Sequence, residues 1–325
     1  MTSSPPSLLV GAAGQVGAQM LRLLGPDRAL PTSRTPPAQG WLNIDLAVLS
    51  NPSAAAALLA PHPVDAIYCI AGMTDVEACE GQPELAHQVN ALAPAALAAY
   101  ARHLRLPFVY FSTEYIFDGH SGPYSEDDPP NPISVYGRSK LAGEIAVLDA
   151  HPDALILRTT VVYGMDERRK NYIYSLLSAI AAGRSMRVPE DQVSTPTFNQ
   201  DLVSAAVGLV SANARGIWHV CGPERLSRID FARSVLRFLD VDPQLLDPLP
   251  TARLGQRAPR PLSAGLRTQK LTAQHPGLRM RNLHEALDLC APELHQHFHT
   301  QQRSQAHQHS QQQQQPQPAS EGKLP

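Results

Sequence analysis

The stretch Ser7–Leu24, SLLVGAAGQVGAQMLRLL, decides the fold class. A short apolar run leads into the glycine pattern Gly11, Gly14 and Gly17, and an amphipathic helical pattern follows. A glycine turn between a strand and a helix lets the backbone approach a diphosphate, and the helix start supplies unpaired N–H groups. The stretch therefore predicts a strand-turn-helix unit that binds a dinucleotide. A tight turn that binds no ligand is the alternative.

Apolar runs and helical patterns alternate along the first half of the chain. The candidate strands are residues 7–10, 30–33, 64–70, 108–112 and 154–158. The candidate helices are residues 16–24, 83–103 and 134–148, with a kink favoured at Pro94. The second half has candidate elements at residues 201–212, 216–220 and 228–239, and a Pro-rich loop at 242–261. Strands separated by helical crossovers predict an α/β fold with a parallel sheet, which binds ligands at the carboxyl ends of its strands.

Composition restricts the classes of function. The 325 residues include 27 Lys and Arg against 29 Asp and Glu, so nucleic acid is not expected as the main partner. Hydrophobic residues make up 43% of the chain, which is typical of a globular protein. No run approaches the roughly 18 apolar residues of a membrane span, and the first ten residues lack the basic start of a signal peptide.

The four cysteines are Cys69, Cys79, Cys221 and Cys290. They form neither a Cys-x-x-Cys pair nor a zinc-ligand spacing. We therefore expect buried thiols, no metal site and a reducing, cytoplasmic location.

The end of the second candidate strand bears on the choice of cofactor. Folds that prefer NAD usually carry an acidic residue there for the ribose 2′-hydroxyl. This chain has Thr32, Ser33 and Arg34 instead, and a hydroxyl with a guanidinium suits a 2′-phosphate. We expect NADPH rather than NADH, although Arg34 also fits an ordinary surface charge. Asp45 is a candidate for the adenine side, with a loop or helix-capping carboxylate as the alternative.

Tyr136 and Lys140 form a Tyr-x-x-x-Lys pair near the start of a predicted helix. Residues four apart lie on one helix face, about 6 Å apart along the axis. A free phenol has a pKa of about 10, and we expect the Lys140 cation to lower the pKa of Tyr136. Such a tyrosine can protonate a carbonyl oxygen while a hydride reaches the carbon.

A hydroxyl pair, Ser112 and Thr113, ends the strand before this helix. A hydroxyl at the carboxyl end of a strand is well placed to hydrogen-bond a substrate carbonyl. We assign this role to Thr113, with Ser112 as the competing choice. The glycine turn, the hydroxyl and the Tyr/Lys pair occur in the order that one reductase site needs.

These residues resemble the extended short-chain dehydrogenase/reductase superfamily, and more closely the dTDP-4-dehydrorhamnose reductase family. The resemblance spans roughly residues 7–290, and its middle motifs are specific in combination. The matching segments include residues 11–17, 71–77, 89–90, 112–119, 123–126, 135–144, 157–159, 162–164, 191–192, 196–197 and 260–262.

The resemblance implies a Rossmann-type doubly wound parallel sheet with a smaller C-terminal substrate-binding lobe. Residues 1–167, with 200–221 returning to them, would bind NADP. Residues 168–199 and 222–294 would bind the substrate. The implied activity is NADPH-dependent reduction of a nucleotide-linked 4-keto-6-deoxy sugar, with a homodimer as a further expectation.

The family pattern also implies roles for individual residues. The catalytic residues would be Thr113, Tyr136 and Lys140. The cofactor contacts would be Gly11, Gly14, Gln15, Val16, Ser33, Arg34, Asp45, Leu46, Ala71, Gly72, Thr74, Asn90, Ser112, Tyr136 and Lys140. The substrate contacts would be Val76, Glu114, Val161 and Asn171.

Two of these positions depart from the family pattern. Glu114 stands where the family often has Asp, and Val161 stands where rhamnose-pathway enzymes commonly carry Trp. A smaller side chain at position 161 removes a stacking surface for the sugar, which weakens the assignment of dTDP-4-dehydrorhamnose as substrate. The chain also resembles the regulatory β-subunit of methionine adenosyltransferase, so an NADP-binding regulatory subunit is the alternative function.

The C-terminal tail changes character at His295. Residues 295–325 are rich in Gln and His and carry almost no large apolar residue after Phe298. Such a segment cannot bury enough surface to fold alone, so we expect a disordered tail. A histidine metal site is the weaker alternative.

Overall fold

The computed structural model describes residues 4–313, and its centre is a seven-stranded parallel sheet. Its strands are β1 Ser7–Val10, β2 Ala29–Ser33, β3 Leu42–Asn43, β4 Ile67–Cys69, β5 Phe108–Thr113, β6 Leu155–Thr159 and β11 Gly216–His219. They lie side by side in the order β11-β6-β5-β4-β1-β2-β3. The remaining strands are β7 Val162–Tyr163, β8 Met186–Pro189, β9 Val193–Ser194, β10 Thr197–Phe198, β12 Leu226–Ser227 and β13 Leu246–Leu249. The predicted α/β fold class is confirmed.

Helices cover both faces of the sheet. They are α1 Gln15–Leu24, α2 Pro52–Leu59, α3 Val76–Gly81, α4 Pro83–His87, α5 Ala93–His103, α6 Val135–Ala150, α7 Tyr172–Ala181, α8 Asn199–Ser211, α9 Arg228–Phe238, α10 Gln269–Gln274 and α11 Leu283–Gln313. Helices α1 and α8 pack together on one face, and α2, α5 and α6 pack on the other. All six residues of β5 are buried, as expected for a strand covered on both sides. Among residues 4–313, none of the helices combines the length and apolarity that a membrane crossing needs.

The predicted single helix over residues 83–103 is three helical segments. Helix α4 passes into a π-helical turn, Gln88–Leu92, before α5 begins. Pro94 has no N–H to donate to the Asn90 carbonyl oxygen four residues earlier, and this oxygen instead accepts a hydrogen bond from the Tyr110 hydroxyl at 2.6 Å. The π-turn places Asn90 in the interior, at 0% exposure.

A second core lies outside the sheet, in what we call the C-terminal lobe: helices α7, α9 and α11 with the short strand pairs around them. The predicted loop over residues 242–261 is partly ordered into β13, which pairs in parallel with β8. Periodicity gave no sign of this strand because the pairing is with a distant segment.

The expectation of a disordered segment from His295 is wrong for the described part of that segment. Helix α11 continues to Gln313. The side chains of Leu294 and Phe298 are buried in the core of the C-terminal lobe, and His297 Nε2 lies 3.0 Å from Ser178 Oγ on α7. Composition missed this because a few packed residues suffice to hold a helix against a partner. Residues 314–325 lie outside the described residues.

Candidate active site

A cavity of about 560 Å³ opens at the carboxyl ends of the central strands, and it collects most of the predicted site residues. It is lined by Gly11, Gly14, Gln15, Val16, Ala71, Gly72, Thr74, Val76, Ser112, Thr113, Tyr136, Lys140, Val161 and Asn171. These residues come from four different strand ends, the start of α1, the starts of α3 and α7, and helix α6. Parallel topology brings them together because every strand of the sheet points its carboxyl end to the same edge.

The glycine turn forms one wall of this cavity. Gly11 has a φ of +95°, and a Cβ there would lie 2.7 Å from the Cβ of Ala71. A Cβ on Gly17 would lie 2.3 Å from the Gly11 carbonyl oxygen, so both positions require glycine. Helix α1 starts at Gly14 without a side-chain cap, which leaves its first N–H groups facing the cavity. Gln15 Nε2 is buried and has no hydrogen-bond partner among the described residues. The turn therefore suits a diphosphate.

Tyr136 lies in the first turn of α6, opposite the end of β5. Ser134 caps this helix by accepting a hydrogen bond from Gly137 N at 3.1 Å. A Cβ on Gly137 would lie 2.1 Å from the Tyr115 carbonyl oxygen, so glycine lets the helix approach the 3₁₀ turn Glu114–Ile116, directly after β5, closely. Burial raises the pKa of Tyr136 well above its usual range, and a hydrogen bond with the Thr113 hydroxyl opposes this shift.

Lys140 lies one turn further along α6 and is 4% exposed. Its Nζ donates a hydrogen bond to the Phe111 carbonyl oxygen at 2.6 Å and lies 3.9 Å from the centre of the Tyr110 ring. Burial lowers the pKa of Lys140 to about 8. The expectation that Lys140 lowers the pKa of Tyr136 is wrong for this arrangement, because desolvation of the phenol dominates. Tyr136 is therefore a protonated phenol at neutral pH.

The competition between the two hydroxyls at the end of β5 is decided by their partners. Ser112 Oγ donates a hydrogen bond to the carboxylate of Glu144, which is 2% exposed. Arg158 holds the same carboxylate, with Nη2 at 2.7 Å from Oε2. Ser112 is therefore engaged in a buried ion-pair network, and Thr113 is the hydroxyl next to Tyr136.

Glu114 was predicted to contact the substrate, but its side chain is buried and bonded within the protein. It is 3% exposed, and its carboxylate accepts hydrogen bonds from the Thr160 hydroxyl and from Gly265 N. Burial raises the pKa of Glu114 to about 7. Because the chain turns into a 3₁₀ turn directly after Thr113, this side chain points into the protein and joins β5 to the C-terminal part of the chain.

Two of the predicted cofactor contacts, Asn90 and Leu46, have side chains that stabilise the fold. Asn90 accepts a hydrogen bond from Met73 N at 2.8 Å and donates to Met73 O at 3.0 Å, so it fixes the turn that carries Gly72. The side chain of Leu46 is 5% exposed and packs in the core. Neither side chain lines this cavity, and their contacts with a cofactor stay a prediction.

The residues predicted for the adenosine end lie beyond the lining of this cavity. Ser33 Oγ exchanges hydrogen bonds with the backbone of Thr35, and Arg34 is exposed. Asp45 accepts a hydrogen bond from Ala47 N at 3.0 Å, which matches the loop carboxylate given as the alternative for it. The role of Arg34 toward a 2′-phosphate stays a prediction.

Val161 and Asn171 line the cavity in different ways. Val161 has a φ of +40°, which is rare for a β-branched residue and marks local backbone strain. The side chain of Asn171 caps α7 and donates to Gly164 O at 2.8 Å, so its amide is committed to the fold. Asn171 shapes the cavity, and a direct hydrogen bond from it to a substrate is not expected.

A second cavity of about 480 Å³ adjoins the first and shares Tyr115 and Arg228 with it. We call it the arginine cavity, because three guanidinium groups line it. Its lining residues are Tyr115, Tyr172, Arg187, Pro189, Gln192, Arg228, Leu254, Gln256 and Arg260. The Arg228 guanidinium lies 4.9 Å from the centre of the Tyr172 ring. This combination of arginines and aromatic rings suits a phosphate-bearing ligand.

The family model described as RmlD substrate binding domain matches residues 7–296. The chain belongs to this family. A dTDP-4-dehydrorhamnose reductase of Sinorhizobium fredii is 33% identical over 289 residues, which cover 86% of this chain and 94% of that protein. A probable low-salt glycan biosynthesis reductase of Haloferax volcanii is 38% identical over 208 residues, which cover 63% of this chain and 69% of that protein.

Solved structures of RmlD-type proteins resemble this chain along most of its length. The dTDP-4-dehydrorhamnose reductase of Bacillus anthracis, solved in complex with NADP, gives a TM-score of 0.79 at 26% identity. The match covers 90% of this chain and 100% of that one. The family resemblance found in the sequence is thereby confirmed.

Sequence reasoning missed the arginine cavity of this RmlD family member. Arg187 and Arg228 stand in stretches without a recognisable motif, and they meet only because β8 and α9 pack in the same lobe. Two signals were available, since Gln192 and Arg260 both fall in segments that match the family. The residue spacing in these segments does not indicate what Gln192 or Arg260 does.

Proposed function

We infer that this protein is an NADPH-dependent reductase of a nucleotide-linked 4-keto-6-deoxy sugar. The observation that carries the inference is the meeting of Thr113, Tyr136 and Lys140 in one cavity with the glycine turn. Reductases of this kind need a dinucleotide-binding turn, a proton donor and a carbonyl-binding hydroxyl within one cleft. The names of the related proteins from Sinorhizobium fredii and Bacillus anthracis point to the same activity.

The cofactor fits the residues that are present. The uncapped start of α1 and the buried, unpartnered Gln15 Nε2 offer donors to a diphosphate. The related Bacillus anthracis enzyme was solved with NADP, and Ser33 with Arg34 would hold a 2′-phosphate in this chain. NADPH is thus the favoured cofactor, with NADH as the alternative. When bound, it supplies the hydride.

The proton chemistry falls to the side chains of the chain itself. The Thr113 hydroxyl would donate a hydrogen bond to the sugar carbonyl oxygen and orient it toward Tyr136. Tyr136 remains protonated at neutral pH, so it can give its proton to that oxygen as the carbonyl becomes an alcohol. Lys140, still mostly protonated at pH 7, would hold the ribose of the cofactor and would supply a positive charge toward the developing oxyanion.

The arginine cavity would hold the nucleotide part of the substrate. Arg228 belongs to both cavities, so a diphosphate bound beside it would direct the attached sugar toward Tyr136. Residues 1–167 and 200–221 would then carry the cofactor, and residues 168–199 and 222–294 the sugar nucleotide. Val161 would contact the sugar.

Two further properties belong to the proposal. Exposed apolar side chains on the packed helices α4 and α6 and on the π-turn between α4 and α5 suit a homodimer contact, namely Leu85, Leu92 and Ile145. Light scattering of the purified protein measures this directly. All four cysteines are buried free thiols, which suits a reducing, cytoplasmic location.

The test is an NADPH-oxidation screen over 4-keto sugars linked to dTDP, UDP and GDP. We expect turnover with at least one of them, and slower turnover with NADH than with NADPH. Absence of oxidation with every substrate, together with stoichiometric capture of another enzyme, would instead favour the regulatory-subunit alternative.

A further inference from the structure

The segment Thr251–Arg260 forms one wall of the arginine cavity and is anchored at both ends. Gln256 and Arg260 line the cavity. At the first end, Asp191 accepts hydrogen bonds from the backbone N–H of Thr251 at 2.9 Å and from its hydroxyl at 2.5 Å. Asp191 and Thr251 both belong to the C-terminal part of the chain, so this anchor does not reach across to the cofactor side.

The second anchor is a single carboxylate from the other side of the cleft. Glu77, on α3, accepts a hydrogen bond from Arg257 N at 3.0 Å and a longer one from Ala258 N at 3.4 Å. It also pairs with Arg260, whose Nη2 lies 2.7 Å from Oε1. The preceding residue, Val76, lines the cofactor-side cavity. One side chain therefore joins the two walls of the cleft.

Arg260 retains donor capacity after this pairing. Its side chain is 10% exposed, and its Nε is buried without a partner among the described residues. The guanidinium carbon lies 6.0 Å from the centre of the Tyr115 ring, and Tyr115 borders both cavities. A buried donor without an acceptor is costly, so this group is arranged for an anionic ligand oxygen.

We propose that Glu77 is a positioning residue that holds Arg260 and the segment 254–260 ready for the diphosphate of the sugar nucleotide. The proposal rests on the proposed function. Without this carboxylate, substrate binding itself would have to order the segment, and affinity would fall. The residues that transfer the proton lie on β5 and α6, so the chemical step would be little changed.

The test is Glu77→Ala in the full chain. We expect KM for the sugar nucleotide to rise about tenfold, as for loss of a charge-assisted contact, with kcat and NADPH affinity within about twofold of wild type. The matched control is Glu84→Ala, which removes an exposed carboxylate from the next helix. The melting temperature should change little, because Glu77 is 39% exposed and such ion pairs contribute little to stability.

A double-mutant cycle tests whether Glu77 acts through Arg260. If it does, Glu77→Ala combined with Arg260→Gln should raise KM no further than Arg260→Gln alone. Additive effects would overturn the proposal, as would an unchanged KM in Glu77→Ala.

Binding of free nucleoside diphosphates tests the role of Glu77 independently of the proposed reductase activity. Calorimetric titration with free dTDP, UDP and GDP needs no turnover. Weaker binding to Glu77→Ala than to Glu84→Ala would support the inference even if every reductase assay failed. Failure of all three nucleotides to bind the wild-type protein would overturn it, whether or not the protein reduces a sugar.

Discussion

Lys140 Nζ donates a hydrogen bond to the Phe111 carbonyl oxygen, 2.6 Å away. Phe111 stands two residues before Thr113 on β5, and Lys140 stands four residues after Tyr136 on α6. This single bond therefore fixes the helix that carries the proposed proton donor against the strand that carries the carbonyl-binding hydroxyl. The pKa of the Tyr136 phenol is nevertheless raised, because burial of the phenol is the largest influence on it.

Replacing Tyr136 with Phe removes the proposed proton donor and keeps the ring. We expect turnover to fall about 10²- to 10⁴-fold, the usual range for loss of a general acid, while NADPH affinity stays near wild type. Steady-state kinetics and a fluorescence titration with NADPH measure the two quantities. Wild-type turnover in Tyr136→Phe would exclude the proton-donor role.

The pH dependence should report the charge on Lys140. Its pKa of about 8 means that the ammonium loses its proton as the pH rises through 8, so kcat/KM should decline on the alkaline side of that value. Tyr136 keeps its proton over this range because its pKa is raised. Lys140→Arg serves as the control, since a guanidinium stays charged and should move the decline to higher pH. A kcat/KM that stays flat well above pH 8 in the wild type would contradict this assignment.

The sequence predicted those site residues whose position depends only on the strand end or helix that carries them. The glycine turn, Thr113 and the Tyr136/Lys140 pair each follow from a strand end or a helix face within a few residues. Glu114 could not be predicted in this way, because its burial depends on Gly265, far along the chain.

The arginine cavity and the end of α11 depend on contacts between distant segments in the same manner. Arg187 and Arg228 become neighbours only after β8 and α9 have packed together. Phe298 was visible in the sequence, but the core that buries it is formed by α7 and α9.

Glu114→Gln tests the raised pKa of this buried carboxyl. Because the folded-state pKa of about 7 exceeds the usual 4.5, the folded state binds more protons between these values. Wild-type stability should therefore fall as the pH rises from 4.5 to 7. The glutamine variant lacks this titration, so its stability relative to wild type should increase over the same range, by up to about 3 kcal/mol. Urea unfolding at pH 5 and pH 8 measures the difference, and a pH-independent difference would show that the carboxyl titrates normally.

The last described turns of the chain can be tested by truncation. Composition alone would predict that removing residues 296–325 leaves stability unchanged. The structure predicts a loss, because Phe298 is 8% exposed and His297 contacts Ser178 on α7. Burial of one phenylalanine contributes about 1.5–3 kcal/mol, so the melting temperature should fall by several degrees. A chain that ends at Gln305 keeps both contacts and is the matched control. Equal melting temperatures for the two truncated chains would mean that residues 296–305 contribute nothing to stability.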